Sequence, residues 1–454
     1  MKSAAVLLTA IAFGGFAIAE TTVDRVVVRQ QWPWSTDVLI EYTLAGGTDN
    51  VDIDVQAWNG TTPLDAAKIK AGLSGDIVGV SGTEGVHRIK FDPIAVFGTA
   101  YEAMPAFKVE LTASPTAIVN PDEVLYKIVD LVSGGIEDVT RADILNGRKG
   151  SYETSYTAID SNFTTPSGLD VLIWTGVTNE IKYATTHLVL RKIPHGSFDM
   201  GSPAGETLRN DNETQHTVTL TKDFWIGVFP VTQRQHELMG GTNRSYFTNA
   251  VCSATRPVDN IIVKRDLRGQ TVVSDVDQLT GDVVFSRLRT LTGNVASFDL
   301  PTEAQWEYAC RALSTGPTYT GESYSEAYIC KVGRSRYNGG VAGLDRNVDV
   351  SQGTASVGSY KPNAWGLYDM IGNVSELCRD NFSSTPTGFP SETTDPINRE
   401  ANGTATQNVT RGYGVSIFSL SSYGSYRVAM RGGRYYTTSE DAYGIGYRVS
   451  FTEK

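Results

Sequence analysis

The chain has 454 residues, a formal net charge of −11 at pH 7 and charged side chains at only 20% of its positions. It is longer than a single hydrophobic core usually organises, so two or more domains are expected. The negative charge and the lack of a Lys/Arg run argue against a nucleic acid as partner. With 45 glycines, the composition favours β-rich and turn-rich structure and excludes a coiled coil or helical bundle.

The first residues predict export. Residues 1–19 combine Lys2, an apolar run over residues 4–16 and the small-residue sequence Ala17-Ile18-Ala19, which is the pattern of a cleaved secretory signal peptide. The apolar run is too short to span a bilayer, and no later segment is long enough for a transmembrane helix. We therefore expect a secreted, periplasmic or cell-surface protein without a transmembrane segment after cleavage.

The four cysteines are too few for a disulfide scaffold in a chain of this length. Three pairings are possible, and the sequence does not choose among them. The cysteines are Cys252, Cys310, Cys330 and Cys378.

Residues 20–114 alternate apolar and polar side chains as half-buried strands do. The alternation is clear over residues 38–44, 51–57 and 107–111. It predicts an amino-terminal antiparallel β-sandwich domain, in which Asp52 and Asp54 lie on a solvated face. Residues 115–184 have a weaker pattern and are interpreted as a partly structured connector that can add edge strands to either neighbour.

Residues 185–454 form many short elements separated by glycine, which predicts an α+β domain with much irregular structure. Two capping-box patterns mark helices in it. Thr232 and Gln235 begin a short helix that Gly240 ends, and Thr302 and Gln305 begin a helix of about three turns.

The loop of residues 363–380 concentrates oxygen donors between turn-forming glycines. Its candidate ligands are Asp369, Asn373, Glu376 and Asp380, and Gly366 and Gly372 let the main chain fold tightly enough for carbonyls to join them. This mixture suits a hard cation. The alternative is a surface loop with ordinary turn chemistry.

Several segments taken in order resemble the formylglycine-generating (sulfatase-modifying factor) enzyme family, whose fold is related to that of the C-type lectins. The resemblance covers about residues 187–452. It rests on IPHGSFDMGS at 193–202, FPVT at 229–232, LPTEAQWEYACR at 300–311, GLYDMIGNVSE at 366–376, and the arginine and glycine pattern over 411–448. The motif at 300–311 is the most specific of these, and the motif at 366–376 is nearly as specific.

The resemblance implies an enzyme that oxidises a sulfatase cysteine to formylglycine with molecular oxygen and a copper ion held by two cysteine thiolates. In this chain the positions that match the catalytic pair fall at or beside Phe418 and Tyr423, and no cysteine follows Cys378. Thiolates select Cu(I), so their loss removes that site and copper is not expected. The last histidine is His236, so imidazoles cannot replace the thiolates there.

The resemblance also implies two structural calcium sites. One would use the Asp369 and Glu376 side chains with the carbonyls of Gly372 and Val374. A second would use the Asn338 and Asp349 side chains with the carbonyls of Gly339 and Ser351, and its alternative is a plain Asn-Gly turn. All-oxygen sets of this kind suit calcium.

More than half of residues 411–447 are Tyr, Ser or Gly, the alphabet of antibody paratopes. This closing segment predicts a ligand-binding surface, and the alternative is that its tyrosines cover an irregular core. The family also includes ligand-binding variable proteins with changeable residues in this region. The candidate ligand-binding residues are Tyr413, Phe418, Tyr423, Tyr426, Arg427, Tyr435 and Tyr436.

Arginines of the closing segment, Arg427, Arg431 and Arg448, either meet an anionic ligand or pair with internal carboxylates. Asp380, Glu440 and Asp441 are the candidate internal partners.

Three hypotheses about function follow. The leading one is a secreted, calcium-stabilised, non-catalytic protein that binds an extracellular protein or glycan. The second is a formylglycine-generating oxidase with a non-standard site. The third is a cell-surface structural protein whose domains make assembly contacts.

Overall fold

The structure is a computed structural model that describes part of the chain. The described residues are 22–30, 37–45, 51–77, 80, 85–94, 107–115, 120–154, 156, 171–248, 252–269, 278–321, 325–335, 337–338, 353–383, 393–399, 407–415, 423–435 and 443–452. The predicted signal peptide lies outside them. The chain divides into two compact units, of which the first ends at Asn120 and the second begins at Pro121.

The first unit consists of two antiparallel sheets and a short helix. Its elements are β1 Thr22–Gln30, β2 Val38–Ala45, β3 Val51–Asn59, β4 Thr62–Pro63, α1 Ala66–Ala71, β5 Leu73–Gly75, β6 Val86–Phe91 and β7 Phe107–Pro115. The strand order is β1-β2-β6-β5 in one sheet and β4-β3-β7 in the other.

The alternation predicted for these strands is confirmed. In β2, Ile40, Tyr42 and Leu44 are buried while the residues between them are partly exposed. The buried side chains of both sheets form one apolar cluster. Burying each large aliphatic side chain stabilises the fold by roughly 1.5–3 kcal/mol, so the alternation decides which side of each strand faces inward. Asp54 is exposed, as predicted.

The second unit contains most of the chain's short elements. They are β8 Val124–Asp130, β9 Ile136–Thr140, α2 Arg141–Leu145, β10 His187–Ile193, β11 Gly196–Met200, β12 His216–Leu220, β13 Phe224–Gly227, α3 Gln233–Leu238, α4 Val284–Leu291, α5 Glu303–Arg311, α6 Glu326–Val332, β14 Ser375–Asn381, β15 Gln407–Arg411, β16 Gly432–Tyr435, β17 Ile445–Tyr447 and β18 Ser450–Thr452. Single 3₁₀ turns cover Thr175–Thr178, Ile181–Ala184, Ser253–Thr255 and Tyr423–Tyr426, and a π turn covers Val263–Arg268.

Three sheets organise this unit. The first has the strand order β18-β13-β10-β8-β9, the second is the hairpin β11-β12, and the third has the order β16-β15-β14-β17. Strands β14 and β17 run parallel, so the third sheet is mixed. Strands β8 and β9 come from the segment interpreted as a connector. They extend the first sheet, because β8 pairs with β10 and β9 pairs with β8.

Both predicted helix starts are confirmed. Thr232 caps α3 and Thr302 caps α5, and in each case the glutamine three residues later bonds back to the capping residue's main-chain N–H. These reciprocal bonds satisfy donors that a helix start leaves open. Every residue of α5 except Gln305 is buried, and Trp306 belongs to the larger apolar cluster of this unit.

All four cysteines lie in described residues and are unpaired. Cys310 and Cys378 are buried, and burial raises the pKa of both thiols. The chain therefore folds without a disulfide in this structure. None of the helices that the structure describes has the length and apolarity needed to span a bilayer.

A buried histidine connects α3 to the third sheet. His236 Nδ1 lies 3.0 Å from the hydroxyl oxygen of Tyr447 in β17. Burial lowers the pKa of His236 to about 4 from an ordinary value of 6.5. The folded protein therefore holds this imidazole neutral at pH values where the unfolded chain would protonate it.

This difference predicts acid sensitivity. As pH falls, the unfolded state takes up the proton first, so the contribution of His236 is complete above pH 6.5 and is lost between pH 6.5 and about 4. Between pH 7 and pH 5 the wild type should lose about 2 kcal/mol more unfolding free energy than His236→Gln, which does not titrate. Urea denaturation of both proteins at pH 7 and pH 5, followed through the unfolding of the second unit, measures this difference. Equal losses in the two proteins would contradict the assignment.

Candidate functional site

A small pocket opens where the third sheet meets the closing segment. Its volume is about 240 Å³. The start of β14, the end of β15, the start of β16 and the turn before β17 all contribute to it. Its lining consists of Ser375, Thr410, Arg411, Tyr413, Gly414, Val415, Met430, Gly432, Gly433, Tyr443, Gly444 and Ile445. The closing segment, for which the sequence predicts a ligand surface, thus supplies most of the wall.

Tyr413 at this pocket has a strained main chain. Its φ is 41°, in the left-handed region that a bulky side chain rarely adopts, and Gly412 before it has φ 82°. Three hydrogen bonds hold the turn to the loop of residues 363–380. Gly372 N donates to Gly412 O at 2.8 Å, Val415 N to Asn373 O at 3.0 Å, and Gly414 N to Ser375 Oγ at 3.0 Å. Such strain persists only where the surroundings enforce it, and it concentrates at functional sites.

The Tyr413 side chain is half-buried and packs edge-on against a buried neighbour. Its ring centroid lies 5.3 Å from that of Tyr426, at an interplanar angle of 76°. Tyr426 is 1% exposed. The Tyr413 ring is thus fixed in position by the turn beneath it and by the Tyr426 ring beside it.

The opposite wall is held by a buried carboxylate. Asp259 accepts a hydrogen bond from Gly444 N at 3.0 Å through one oxygen and from Tyr246 N at 3.1 Å through the other. The Tyr246 ring lies 4.3 Å from the ring of Tyr443. Burial raises the pKa of Asp259 to about 6, although its main-chain hydrogen bonds oppose this. The two tyrosine rings and the turn before β17 are therefore joined through one side chain.

An ion-pair network lies behind the pocket. Arg411 of β15 pairs with both Glu303 and Glu307 of α5, and all three side chains are buried. Burial alone would raise the pKa of Glu307, but Arg411 and Arg311 outweigh it and hold that pKa below its usual value. Arg431 donates to Glu303 at 2.8 Å. The guanidinium of Arg411 is thus neutralised from inside the protein.

The predicted first calcium site divides into two environments. Asp369 is buried with φ 56°, and its Oδ2 accepts from Gly358 N at 2.8 Å. Among the described residues its Oδ1 is buried and makes no hydrogen bond, and burial raises its pKa to about 6. Glu376 instead forms a two-point ion pair with Arg448, at 2.7 and 3.0 Å, and accepts from Trp306 Nε1 at 2.7 Å.

Asn373 and Asp380, the other two candidate ligands of this loop, also make hydrogen bonds within the protein. Asn373 has φ 63° and exchanges two hydrogen bonds with the main chain of Ala355. Asp380 accepts from the main-chain N–H groups of Glu303 and Asn398. Both side chains connect the loop to neighbouring segments.

Of the second predicted calcium site only Asn338 is described. Its Oδ1 accepts from Ser335 N at 2.7 Å, and its amide nitrogen donates to Gly333 O at 3.0 Å. Gly339, Asp349 and Ser351 lie outside the described residues.

The predicted ligand-binding residues lie in different environments. Tyr413 lies at the pocket and Tyr426 is buried behind it. Arg427 is buried and pairs with Glu213 and Glu206. The structure describes only the main chain of Tyr423 and Tyr435, and Phe418 and Tyr436 lie outside the described residues.

The closing arginines pair with internal carboxylates, as one of the two interpretations of the sequence expected. Their partners, however, are not the predicted ones. Arg427 pairs with Glu213, Arg431 with Glu303 and Arg448 with Glu376. Asp380 is instead occupied by main-chain donors, and Glu440 and Asp441 lie outside the described residues. The sequence did not indicate these three glutamates as partners, because each lies far from its arginine along the chain.

Sequence reasoning also missed the hydroxyl-bearing half of the pocket. Ser375, Thr410 and Tyr443 line it, although none was a candidate ligand residue. Tyr443 lies in the Tyr-rich segment, which was the one available signal. Its proximity to Ser375 depends on the parallel pairing of β14 with β17, which no local pattern reveals.

The described residues contain no group of three or more His, Cys, Asp or Glu side chains placed to hold a metal ion. The only sulfur in the described pocket lining is the Met430 thioether. The described lining offers tyrosine rings and hydroxyl groups.

Comparison with known proteins identifies the family. A sequence profile of the family described as "Sulfatase-modifying factor enzyme 1-like domain" matches residues 178–450. The formylglycine-generating enzyme of Streptomyces coelicolor is 35% identical over 155 residues, which cover 33% of this chain and 46% of that enzyme. The inactive C-alpha-formylglycine-generating enzyme 2 of Bos taurus is 24% identical over 222 residues, which cover 42% of this chain and 71% of that protein.

Among solved structures, Treponema denticola variable protein 1 aligns with a TM-score of 0.44 and 22% sequence identity, covering 59% of this chain and 95% of that one. The chain spans about half the length of the Streptomyces enzyme. The motifs at 300–311 and 366–376 lie within the matched profile. Because this profile matches more than half of the chain, the protein belongs to the sulfatase-modifying factor enzyme 1-like domain family.

Proposed function

We propose that the protein is a secreted, calcium-stabilised, non-catalytic ligand-binding protein built on a sulfatase-modifying-factor domain. One observation carries the proposal. The pocket in the closing segment is lined by tyrosines, hydroxyls and glycine main chain, and no thiolate pair is available for copper because no cysteine follows Cys378. The bovine relative described as inactive supports a non-catalytic member of this family.

The remaining parts of the proposal concern architecture and location. We infer that the second unit has a C-type-lectin-related fold and that the two sheets of the first unit form a β-sandwich, which acts as a spacer or second contact surface. The signal-peptide pattern of residues 1–19 supports export to the periplasm, the cell surface or the medium.

The pocket should be the site of ligand binding. Tyr413→Ala removes a ring that the strained turn fixes at the pocket, so it should weaken capture of any bound ligand by about tenfold. An array of glycans and proteins probed with wild type and variant measures this. Tyr152→Ala is the matched control, because Tyr152 is an exposed tyrosine outside the pocket lining. Equal binding by wild type and Tyr413→Ala would remove this pocket from the function.

The second candidate function is oxidation of a sulfatase cysteine to formylglycine, which the 35% identity to the Streptomyces enzyme favours. Incubation of the purified protein with copper, oxygen and a sulfatase-motif peptide should give no aldehyde, because the two thiolates are missing. Mass spectrometry of the peptide measures the product. Aldehyde formation that survives removal of contaminating enzymes would overturn the non-catalytic proposal.

Calcium would be held mainly through Asp369. Its buried Oδ1 without a hydrogen bond fits a missing cation partner, and the carbonyls of Gly372 and Val374 lie in the same loop. Glu376 fits less well, because Arg448 and Trp306 already bond to its oxygens. The ion would supply positive charge to a buried carboxylate that has no ion pair of its own among the described residues.

Excess EDTA should therefore lower the melting temperature of the wild type reversibly by a few degrees. Asp369→Asn keeps the shape of the side chain but removes its charge, and its melting temperature should not respond to EDTA. The matched control is Asp259→Asn, another fully buried carboxylate, which should keep the response. A wild type that melts at the same temperature in calcium and in EDTA would contradict the calcium proposal.

A further inference from the structure

The described lining of the pocket contains no unpaired charge. Its only charged residue is Arg411. The Nη1 of Arg411 donates to Val428 O and Met430 O, both at 3.0 Å, its Nη2 bonds to Glu307, and its Nε lies 3.1 Å from Glu303. All three nitrogens thus face the protein interior. An anionic ligand in the pocket would lose its hydration without gaining a charge partner.

The described part of the pocket has room for a ligand of about one ring. Its volume of about 240 Å³ is below the roughly 300–1,000 Å³ of sites for drug-sized molecules. The Tyr413 and Tyr443 rings are both half-buried at the lining and are fixed by Tyr426 and Tyr246. A flat ligand can therefore contact an aromatic face without reorganising the wall.

The polar groups of the lining decide which kind of ring fits. Ser375 Oγ accepts from Gly414 N, which leaves its O–H available as a donor, and Thr410 adds a second hydroxyl. A phenylalanine side chain would cover these hydroxyls without bonding to them, and each buried polar group left unpaired weakens binding. A pyranose has both an apolar C–H face for tyrosine and hydroxyls for these groups.

We infer that the pocket binds a single uncharged pyranose ring, as the terminal sugar of a neutral glycan. The inference rests on the proposed ligand-binding function and adds the ligand's chemical class. Tyr413 contacts the C–H face of the sugar, and Ser375 and Thr410 bond to its hydroxyls. The sugar's lack of charge matches a site whose one guanidinium is already paired inside the protein.

The test uses the full chain on an array of matched oligosaccharides. Each core ends in a neutral hexose, in the same hexose carrying sulfate, or in sialic acid, and aromatic-rich peptides form a separate arm. Some neutral termini should bind, with the charged versions at least about tenfold weaker. Saturation-transfer NMR with methyl hexopyranosides should show contact at the ring C–H protons.

Variants identify the pocket as the place of binding. Tyr413→Phe should retain binding because it keeps the ring, whereas Tyr413→Ala should lose about tenfold. Thr410→Val keeps the shape and removes one hydroxyl, so it should also weaken binding. Tyr152→Ala should bind as the wild type does. Melting temperatures show which variants are folded, and Thr410→Val provides the test if Tyr413→Ala does not fold.

The outcomes separate the two proposals. Binding only to charged glycans or only to peptides, if Tyr413→Ala abolishes it, would overturn the neutral-sugar inference and leave the binding function in place. Binding that neither Tyr413→Ala nor Thr410→Val weakens would overturn both, because the pocket would not be the site. Binding to no arm of the array would also overturn both.

Discussion

The closing half of the second unit depends on two glutamates that lie on one face of α5. Glu303 and Glu307 are four residues apart, so their carboxylates project together. Between them they bind Arg411 at the end of β15 and Arg431 directly before β16. These groups are buried, and a buried pair that loses one partner costs roughly 3–5 kcal/mol. The helix therefore positions the end of β15 and the start of β16 against the core.

A second pair completes this frame at the loop of residues 363–380. Arg448 binds Glu376 at two points and also donates to the carbonyls of Gly227 and Tyr368. Three segments distant in the chain, at Gly227, in the loop of residues 363–380 and at Arg448, meet at this one guanidinium. The most specific family motifs thus supply internal charge pairing, which explains why their carboxylates are not exposed to a ligand.

Local features of the sequence were predictable, whereas the distant pairings were not. The caps at Thr232 and Thr302 and the alternation of β2 depend on neighbours within four residues, so a single sequence reveals them. The partner of Arg427 is Glu213, more than two hundred residues away, and nothing in the spacing identifies it. The sequence likewise located the Tyr-rich segment but not Tyr413's positive φ, because that conformation is imposed by the loop on which it rests.

The same separation explains how a pocket of this kind can change its ligand. The charges that stabilise the domain are neutralised inside it, so the Tyr413 ring can change without altering those ion pairs. Tyr413 lies on a turn whose shape is set by the main-chain hydrogen bonds of Gly412 and Val415, and the hydroxyls of Thr410 and Ser375 lie on the neighbouring strands β15 and β14. Substituting the ring changes the ligand surface while those main-chain bonds remain. A domain of this family can therefore keep its architecture while the side chains of this pocket change.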